Sequence, residues 1–119
     1  MISKFGLYVR KIRKKNNDSL RTMAKKLNVS APFLSSMEVG RKVIPIDYID
    51  KIRDLYNLSK EEVEKLEDSI NETNNKVSIE LEKMTEGQKE ISLIFSRKIK
   101  NADPELIEKL RKVLEDDKN

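Results

Sequence analysis

The side chains that could perform covalent chemistry are few in this 119-residue chain, which contains neither histidine nor cysteine. This composition excludes zinc fingers, disulfide frameworks and catalysis by a cysteine or histidine nucleophile. Carboxylates are paired at residues 61–62 and grouped at residues 115–117, but no nucleophile or orienting group accompanies them. The three glycines, at positions 6, 40 and 87, are too far apart for a phosphate-binding loop. We therefore expect no enzymatic activity, no cofactor and no metal site.

The charged side chains are the main functional groups of the chain, and their net charge differs between its two halves. Residues 1–58 hold 13 Lys and Arg against 5 Asp and Glu, a net charge of +8. Residues 59–119 have a net charge of −4. The basic front half suits a polyanion such as nucleic acid, and the acidic back half does not. The alternative, that both halves are merely solvated surfaces, is not excluded by composition.

No segment of the sequence is suited to a membrane. The longest uninterrupted apolar stretch is residues 43–46, and the N-terminus lacks the apolar block of a signal peptide. Hydrophobic residues make up 37% of the chain and recur at regular spacing, which indicates a folded chain. We expect a soluble, cytoplasmic protein.

The elements that must position the charged residues are predicted to be helices, so the expected fold class is all-α. Apolar periodicity predicts five helices in the front part of the chain, over residues 3–16, 19–27, 31–39 and 46–56 and from residue 60 onward. The last of these opens with a capping box at residues 59–62 and weakens in the polar stretch 71–75. We therefore divide the chain into a domain of residues 1–70 and a helical C-terminal extension of residues 71–119.

The C-terminal extension contains sequence patterns that indicate a short strand and two helices. Val77, Ile79 and Leu81 alternate with polar residues, which allows a short strand over residues 76–81. A second capping box at residues 85–88 and the pair Asp103-Pro104 open two further helices, which we expect to form a hairpin with one apolar side.

Residues 20–40 hold the most informative pattern, two short helices joined by a tight turn. Ala24 lies where the helices must approach closely, and Asn28 lies where the backbone needs a left-handed residue. Apolar residues on both sides of the turn supply the seam between the helices. This pattern is typical of a helix-turn-helix, whose second helix enters the major groove of DNA.

Residues 5–56 resemble the Xre/Cro-type helix-turn-helix repressors, the family of lambdoid phage repressors. The resemblance is carried by Arg13, by the run from Ser19 to Ser30 and by the run from Leu34 to Gly40. It implies a lambda-repressor-like arrangement of the five predicted helices and binding to double-stranded DNA. It also implies a buried, structural ion pair between Arg13 and Glu38.

Base recognition is where the sequence departs from that family. Many relatives have polar residues at the positions of Leu20, Ala31 and Pro32, none of which can form a side-chain hydrogen bond with a base edge here. Ala31 and Pro32 can still touch thymine methyl groups, and Phe33 either does the same or packs into the core. Because few residues can read bases, DNA shape or bending would supply further specificity.

Phosphate contacts are better supplied than base contacts. Arg41 and Lys42 follow the recognition helix, where the family usually meets the DNA backbone, and Arg21 lies near the start of the second helix. The complete set of expected DNA-contacting residues is Ser19, Arg21, Ser30, Ala31, Pro32, Phe33, Ser35, Ser36, Arg41 and Lys42.

Apolar residues of the back half need a covering surface, either within the chain or on a second copy. We expect a homodimer, because a single helix-turn-helix has a small footprint and two-fold dimers double it. The surface expected to meet the second copy or another partner consists of Val77, Ile79, Leu81, Ile91, Ile94, Phe95, Ile99, Leu106 and Leu110.

Three functions are consistent with this sequence. We favour a sequence-specific transcription regulator, a repressor of phage or mobile-element type that acts as a homodimer on a palindromic operator. The alternative is an antitoxin that binds its own operator and neutralises a toxin through residues 59–119; a toxin or an antirepressor protein would then be a further partner. A protein-interaction module that does not bind DNA comes third, because Ala31 and Pro32 are poor readers.

Overall fold

The structure is a computed structural model that describes residues 1–117, and these residues form helices and no strand. The all-α prediction is thereby confirmed. The chain divides into two compact units, the first comprising Met1–Val77 and the second beginning at Ser78. The first unit contains α1 (Lys4–Lys15), α2 (Leu20–Lys26), α3 (Ala31–Glu38), α4 (Tyr48–Tyr56) and α5 (Lys60–Asn74). The second contains α6 (Glu86–Lys98), a 3-10 turn (Ile99–Asn101) and α7 (Pro104–Asp116). No helix in the described residues is long and apolar enough to cross a membrane.

The core of the first unit lies between α1, α3 and α5. α1 packs against both α5 and α3, α2 packs against α3, and α4 packs against α5. Each helix buries a stripe of apolar positions at helical spacing, because this removes apolar surface from water. The exception is Leu55 of α4, whose spacing also predicts an inward position and which is 40% exposed. The side chains that are completely buried include Phe5, Val9, Met23, Leu34, Met37, Ile52, Leu66 and Ile70.

Asparagine in the left-handed conformation ends four segments of the first unit. Asn17, Asn28, Asn57 and Asn75 have φ angles between 51° and 60°. Gly40 ends α3 in the same region, with φ 78°. These residue types tolerate positive φ best, so the chain can turn sharply after each short helix. The prediction for Asn28 is confirmed.

α5 continues through the polar stretch in which the sequence predicted it to weaken. It runs to Asn74, and Asn75 forms its left-handed C-cap. The compact unit accordingly extends to Val77, past the expected boundary at residue 70. The polar residues remain helical because tertiary contacts hold them: Thr73 Oγ1 accepts a hydrogen bond from the backbone N–H of Phe5 at 3.0 Å.

The short strand that the sequence allowed over residues 76–81 is absent, and this segment is irregular. Val77, Ile79 and Leu81 alternate as a strand would, but a strand also needs a partner to satisfy its backbone groups. No other segment of the described residues supplies one. The possible short strand is therefore not confirmed in the described residues.

The second unit has helices but no buried side chain in its described residues. Its capping box is confirmed: Thr85 accepts from the backbone N–H of Gln88, whose side chain accepts from the backbone N–H of Thr85. α6 and α7 are consecutive helices of this unit, joined by the 3-10 turn, and the hairpin expected of them stays a prediction. Ala102 and Asp103, which join them, are both extended, and Asp103 is the N-cap of α7.

Gly6 allows α1 and the end of α3 to approach closely. A Cβ at this position would collide with the carbonyl oxygen of Glu38 and would lie 2.7 Å from the side chain of Ile2. That same carbonyl oxygen accepts hydrogen bonds from the backbone N–H (2.9 Å) and the hydroxyl (2.7 Å) of Ser3, so it is fixed in place.

We expect Gly6→Ala to destabilise the first unit, because overpacking against a fixed backbone group costs about 1–3 kcal/mol. Thermal unfolding would report this cost as a fall in Tm of about 4–8 °C for each kcal/mol. Gly87→Ala is the matched control, since the nearest atom to its new Cβ is Thr85 Oγ1 at 3.9 Å. Equal effects of the two substitutions would contradict a close approach at Gly6.

Asp18, which precedes α2, connects this helix to α4. Its carboxylate accepts hydrogen bonds from Lys26 Nζ at 2.7 Å and from the Tyr56 hydroxyl at 2.8 Å. These bonds, first that from Lys26 and then that from Tyr56, hold the pKa of Asp18 below its usual value. Burial and the bond to Asp18 raise the pKa of Tyr56. Lys26 Nζ also lies 5.1 Å from the centroid of the Tyr56 ring.

We expect Asp18→Asn to lower the Tm at pH 7 and to have a smaller effect in acid. Because the folded-state pKa of Asp18 is depressed, its carboxylate stabilises the fold above about pH 4, the unfolded value. That contribution disappears as the pH falls through the folded-state pKa. Thermal unfolding between pH 7 and pH 2.5 would show the difference in Tm between wild type and Asp18→Asn becoming smaller. Asp68→Asn, at an exposed carboxylate of α5, is the control. A difference in Tm that does not change with pH would contradict a stabilising role for the charge of Asp18.

Candidate nucleic-acid interface

The turn between α2 and α3 is short and closely packed. The carbonyl of Ala24 accepts a hydrogen bond from the backbone N–H of Val29 at 3.0 Å, across the left-handed Asn28. Ala24 is only 2% exposed, on the helix α2 that packs against α3. Leu27 is buried beside it, so the crossing of the two helices is fixed by packing.

Serines cap both helices of this motif. Ser19 accepts a hydrogen bond from the backbone N–H of Thr22 at 3.0 Å, and Ser30 accepts one from that of Phe33 at 3.2 Å. Pro32 has no N–H to offer in the first turn of α3, whereas α2 begins without a proline. Backbone donors for an anion are therefore more numerous at the start of α2 than at the start of α3.

The outer side of α3 presents short and apolar groups. Pro32 is exposed, and Ser35 and Ser36 are half-buried. The Ser36 hydroxyl donates to the carbonyl of Pro32 at 3.0 Å, so in this arrangement it has only acceptor positions left. Phe33 and Ala31 are half-buried and pack against the core, which leaves part of each side chain accessible.

A basic loop follows α3. The backbone N–H groups of Arg41 and Lys42 both donate to the carbonyl of Ser36, at 2.9 and 3.3 Å, across the left-handed Gly40. Both cationic side chains are exposed. Arg21 is exposed on α2, where it lines a shallow groove together with Asn28.

Arg13 and Glu38 form a buried ion pair that holds the end of α3 against α1. Arg13 Nη1 lies 2.5 Å from Glu38 Oε2, and Nη2 lies 3.0 Å from Oε1, so the two side chains meet through two parallel hydrogen bonds. Arg13 is 7% and Glu38 2% exposed. Arg13 Nη1 also donates to Met23 Sδ at 3.3 Å, and Arg10 Nε lies 3.6 Å from Glu38 Oε1.

The ion pair has an electrostatic consequence for the surface. Glu38 is the sole carboxylate among residues 19–46, and it is buried and neutralised by Arg13. The cations of the same segment are exposed. The helix-turn-helix segment therefore presents positive charge to solvent without any exposed carboxylate of its own.

Comparison with known families identifies this arrangement. A helix-turn-helix family model of the Xre/Cro-like type matches residues 9–65, just under half of the chain. The chain contains an Xre/Cro-like helix-turn-helix domain. Proteins of this family are DNA-binding transcription regulators, and the domain is that of such a regulator. No curated protein and no solved structure matches the chain.

The match encloses the helix-turn-helix and ends early in α5, whereas the resemblance was placed at residues 5–56. The remainder of α5 belongs to the same compact unit, because Leu66 and Ile70 complete its core. In this helix-turn-helix domain the predicted base-reading and phosphate-binding residues lie on three consecutive elements: α2, α3 and the loop after α3.

The residues predicted to meet a second copy or another partner lie outside this domain core, and none is buried. Ile91 is 63% exposed, and Leu106 is 37% exposed. The remaining members are exposed or half-buried: Val77, Ile79, Leu81, Ile94, Phe95, Ile99 and Leu110.

Sequence reasoning missed two residues at the end of α5 that hold distant parts of the first unit. Asn74 forms two hydrogen bonds with the backbone of Ile44 in the basic loop, and Thr73 accepts from the backbone of Phe5. Their polar character was interpreted as a weakening of the helix. An asparagine at position 75 could have been predicted to be a left-handed C-cap. The bonding partners of Asn74 and Thr73 lie 30 and 68 residues away along the chain, so no local pattern predicts these two hydrogen bonds.

We expect Ser36→Ala to change the preference among binding sites more than the general affinity. With its proton donated to Pro32, the hydroxyl can accept a hydrogen bond from an adenine or cytosine amino group, and losing one such bond costs about 1 kcal/mol. Titration of the variant against duplexes altered at single positions would detect the loss. Ser96→Ala, at a serine of α6 that also bonds to its own helix, is the control. A uniform loss across all duplexes would contradict a reading role.

Proposed function

We propose that the protein is a sequence-specific transcription repressor of phage or mobile-element type, acting as a homodimer on a palindromic operator. The observation that carries DNA binding is the charge of residues 19–46, where every cation is exposed and the one carboxylate is buried in the pair with Arg13. An exposed carboxylate in this segment would repel the phosphates of DNA, whereas Glu38 is buried and paired with Arg13.

In this proposal α3 lies in the major groove. Ser35 and Ser36 face base edges, and Pro32 and the accessible part of Phe33 contact thymine methyl groups. Ala31 makes a further apolar contact at the start of the helix. Since none of these groups forms a bidentate pair with a base, part of the specificity comes from the shape and deformability of the operator.

The phosphates are contacted from both sides of α3. Arg41 and Lys42 reach the DNA backbone beyond the end of the helix, and Arg21 reaches it from α2. Ser19 and Ser30 orient the helix starts as N-caps, so that the free N–H groups of α2 face a phosphate.

The homodimer is supported by the second unit, whose helices have apolar stripes and no buried side chain. Some charged residues of these helices pair within their own helix, as Glu105 does with Lys109 of α7. Two copies would place two recognition helices on half-sites about 34–36 Å apart. The same exposed stripes favour a second candidate function, an antitoxin whose residues 59–119 bind a toxin.

The test of the proposed function is selection of random duplexes by the full chain at two salt concentrations. An enriched palindrome and a steep fall of affinity with salt would support a dimeric regulator, and lower expression of a reporter carrying that palindrome over its promoter would support repression. Salt-sensitive binding without an enriched motif would contradict sequence-specific recognition. Absence of binding at low salt would contradict the DNA-binding role of this chain.

The oligomeric state tests the homodimer. We would measure the mass of the full chain in solution by light scattering, alone and after Leu106→Asp with Leu110→Asp. A dimer that dissociates on this change while its helical circular dichroism persists supports the homodimer. A wild-type chain that is monomeric at micromolar concentration contradicts it.

A further inference from the structure

The backbone of Ile44 is held by one side chain from the far end of the helix-turn-helix domain. Asn74 Nδ2 donates to the carbonyl of Ile44 at 2.8 Å, and Asn74 Oδ1 accepts from the backbone N–H of Ile44 at 2.9 Å. One carboxamide thus satisfies both backbone groups of a loop residue, as a neighbouring strand would. The side chain of Ile44 is 1% exposed, so this residue is anchored through its backbone and its side chain.

The residues on either side of this anchor are accessible. Arg41, Lys42 and Val43 precede it and Pro45 and Ile46 follow it, all of them exposed. Neither helix nor strand holds residues 42–46. The start of the loop is held by the bonds of Arg41 and Lys42 to Ser36, and its end by the bond of Tyr48 to the carbonyl of Pro45. Between these ends, the two bonds of Asn74 hold the backbone of Ile44.

Asn74 is itself held by a rigid element. It is the last residue of α5, a helix whose Leu66 and Ile70 are completely buried. Its neighbour Thr73 accepts a hydrogen bond from the first turn of α1. A loop tied to such an element keeps one conformation before DNA arrives, which removes the entropy cost of ordering it on binding.

We propose that Asn74 is a positioning residue for DNA binding, which holds the loop of residues 41–46 so that Arg41 and Lys42 meet the phosphates. The inference rests on the proposed phosphate contacts of these two cations. Asn74 contacts no DNA in this proposal and acts through the anchor at Ile44.

The test compares Asn74→Ala with Asn71→Ala in the full chain, since Asn71 is an asparagine of the same helix that does not bond to the loop. We expect Asn74→Ala to cost the equivalent of one phosphate contact: a slope of log affinity against log salt lower by about 0.9, and an affinity about eightfold lower at 0.1 M salt. The backbone N–H of Ile44 should also exchange faster with solvent. Asn71→Ala should leave all three quantities unchanged.

A double-mutant cycle separates positioning from stability. In a chain that already carries Arg41→Ala and Lys42→Ala, Asn74→Ala should have no further effect on DNA affinity. An eightfold loss that persists in that background would overturn the proposal, because Asn74 would then act through the fold as a whole.

Other outcomes are equally distinguishable. If Arg41→Ala with Lys42→Ala leaves the salt slope unchanged, the phosphate contacts themselves fail, and with them that part of the proposed function. If those contacts hold but Asn74→Ala binds with the wild-type slope, only the positioning role fails. Should Asn74→Ala not fold, Asn74→Gln keeps the carboxamide on a longer stem, and a wild-type slope in this variant would overturn the proposal.

Discussion

Glu38→Ala is expected to destabilise the helix-turn-helix domain by about 3–5 kcal/mol, the cost of leaving a buried charge without its partner. Arg13 is 7% exposed and places two of its donors on Glu38, so no water can replace the lost carboxylate without opening the core. For a domain of this size each kcal/mol lowers the Tm by about 4–8 °C, so the fall should exceed 10 °C.

Thermal and urea unfolding would measure this effect, with Glu67→Ala, at an exposed carboxylate of α5, as the control. A second variant tests whether the unpaired buried charge of Arg13 causes the loss of stability. Replacing Arg13 by Met together with Glu38 by Leu removes both charges, and we expect it to recover most of the lost stability, because exchanging a buried pair for apolar groups is often neutral. A Tm of Glu38→Ala within error of wild type would contradict the importance of the pair.

Arg41→Ala combined with Lys42→Ala is expected to weaken binding to all duplexes alike. Both side chains are exposed beside the recognition helix, and each phosphate contact contributes about 0.9 to the slope of log affinity against log salt. Loss of two contacts should lower that slope by about 1.8 and the affinity on the order of 50-fold at 0.1 M salt. Titration of specific and unrelated duplexes at several salt concentrations would measure both quantities.

Lys98→Ala with Lys100→Ala, at two exposed lysines outside the helix-turn-helix domain, is the matched control for removing two positive charges. We expect it to change the slope far less. If both double variants reduced the slope equally, the effect would be one of net charge, and a specific contact by the loop would be contradicted.

The fold of the first unit was largely readable from the sequence because its signals are local. Ser59 and Glu62 form the predicted capping box, with bonds of 3.2 and 3.0 Å, and Asn28 adopts the predicted left-handed turn. Such signals depend on residues three or four positions apart, which the sequence places side by side.

What the sequence could not predict depends on residues that are distant along the chain. Gly6 looks like an ordinary small residue of a helix until the carbonyl of Glu38 is found beside it. Asn74 looks like a helix breaker until its amide is found on Ile44, 30 positions earlier. The candidate base-reading and phosphate-binding residues were chosen through the resemblance to a family, and they stay predictions until DNA binding is measured.

The hydrogen bond between Phe5 and Thr73 also bears on how the protein is made. It joins residues 68 positions apart, so the first helix meets its partner only after the fifth has left the ribosome. Synthesis adds about 5–20 residues each second, and a nascent chain that has reached only residue 65 still lacks Leu66, Ile70 and the amide that anchors the basic loop. We expect the candidate DNA-binding surface to be completed only after α5 has been synthesised, so that shorter chains still bound to the ribosome lack the anchored loop.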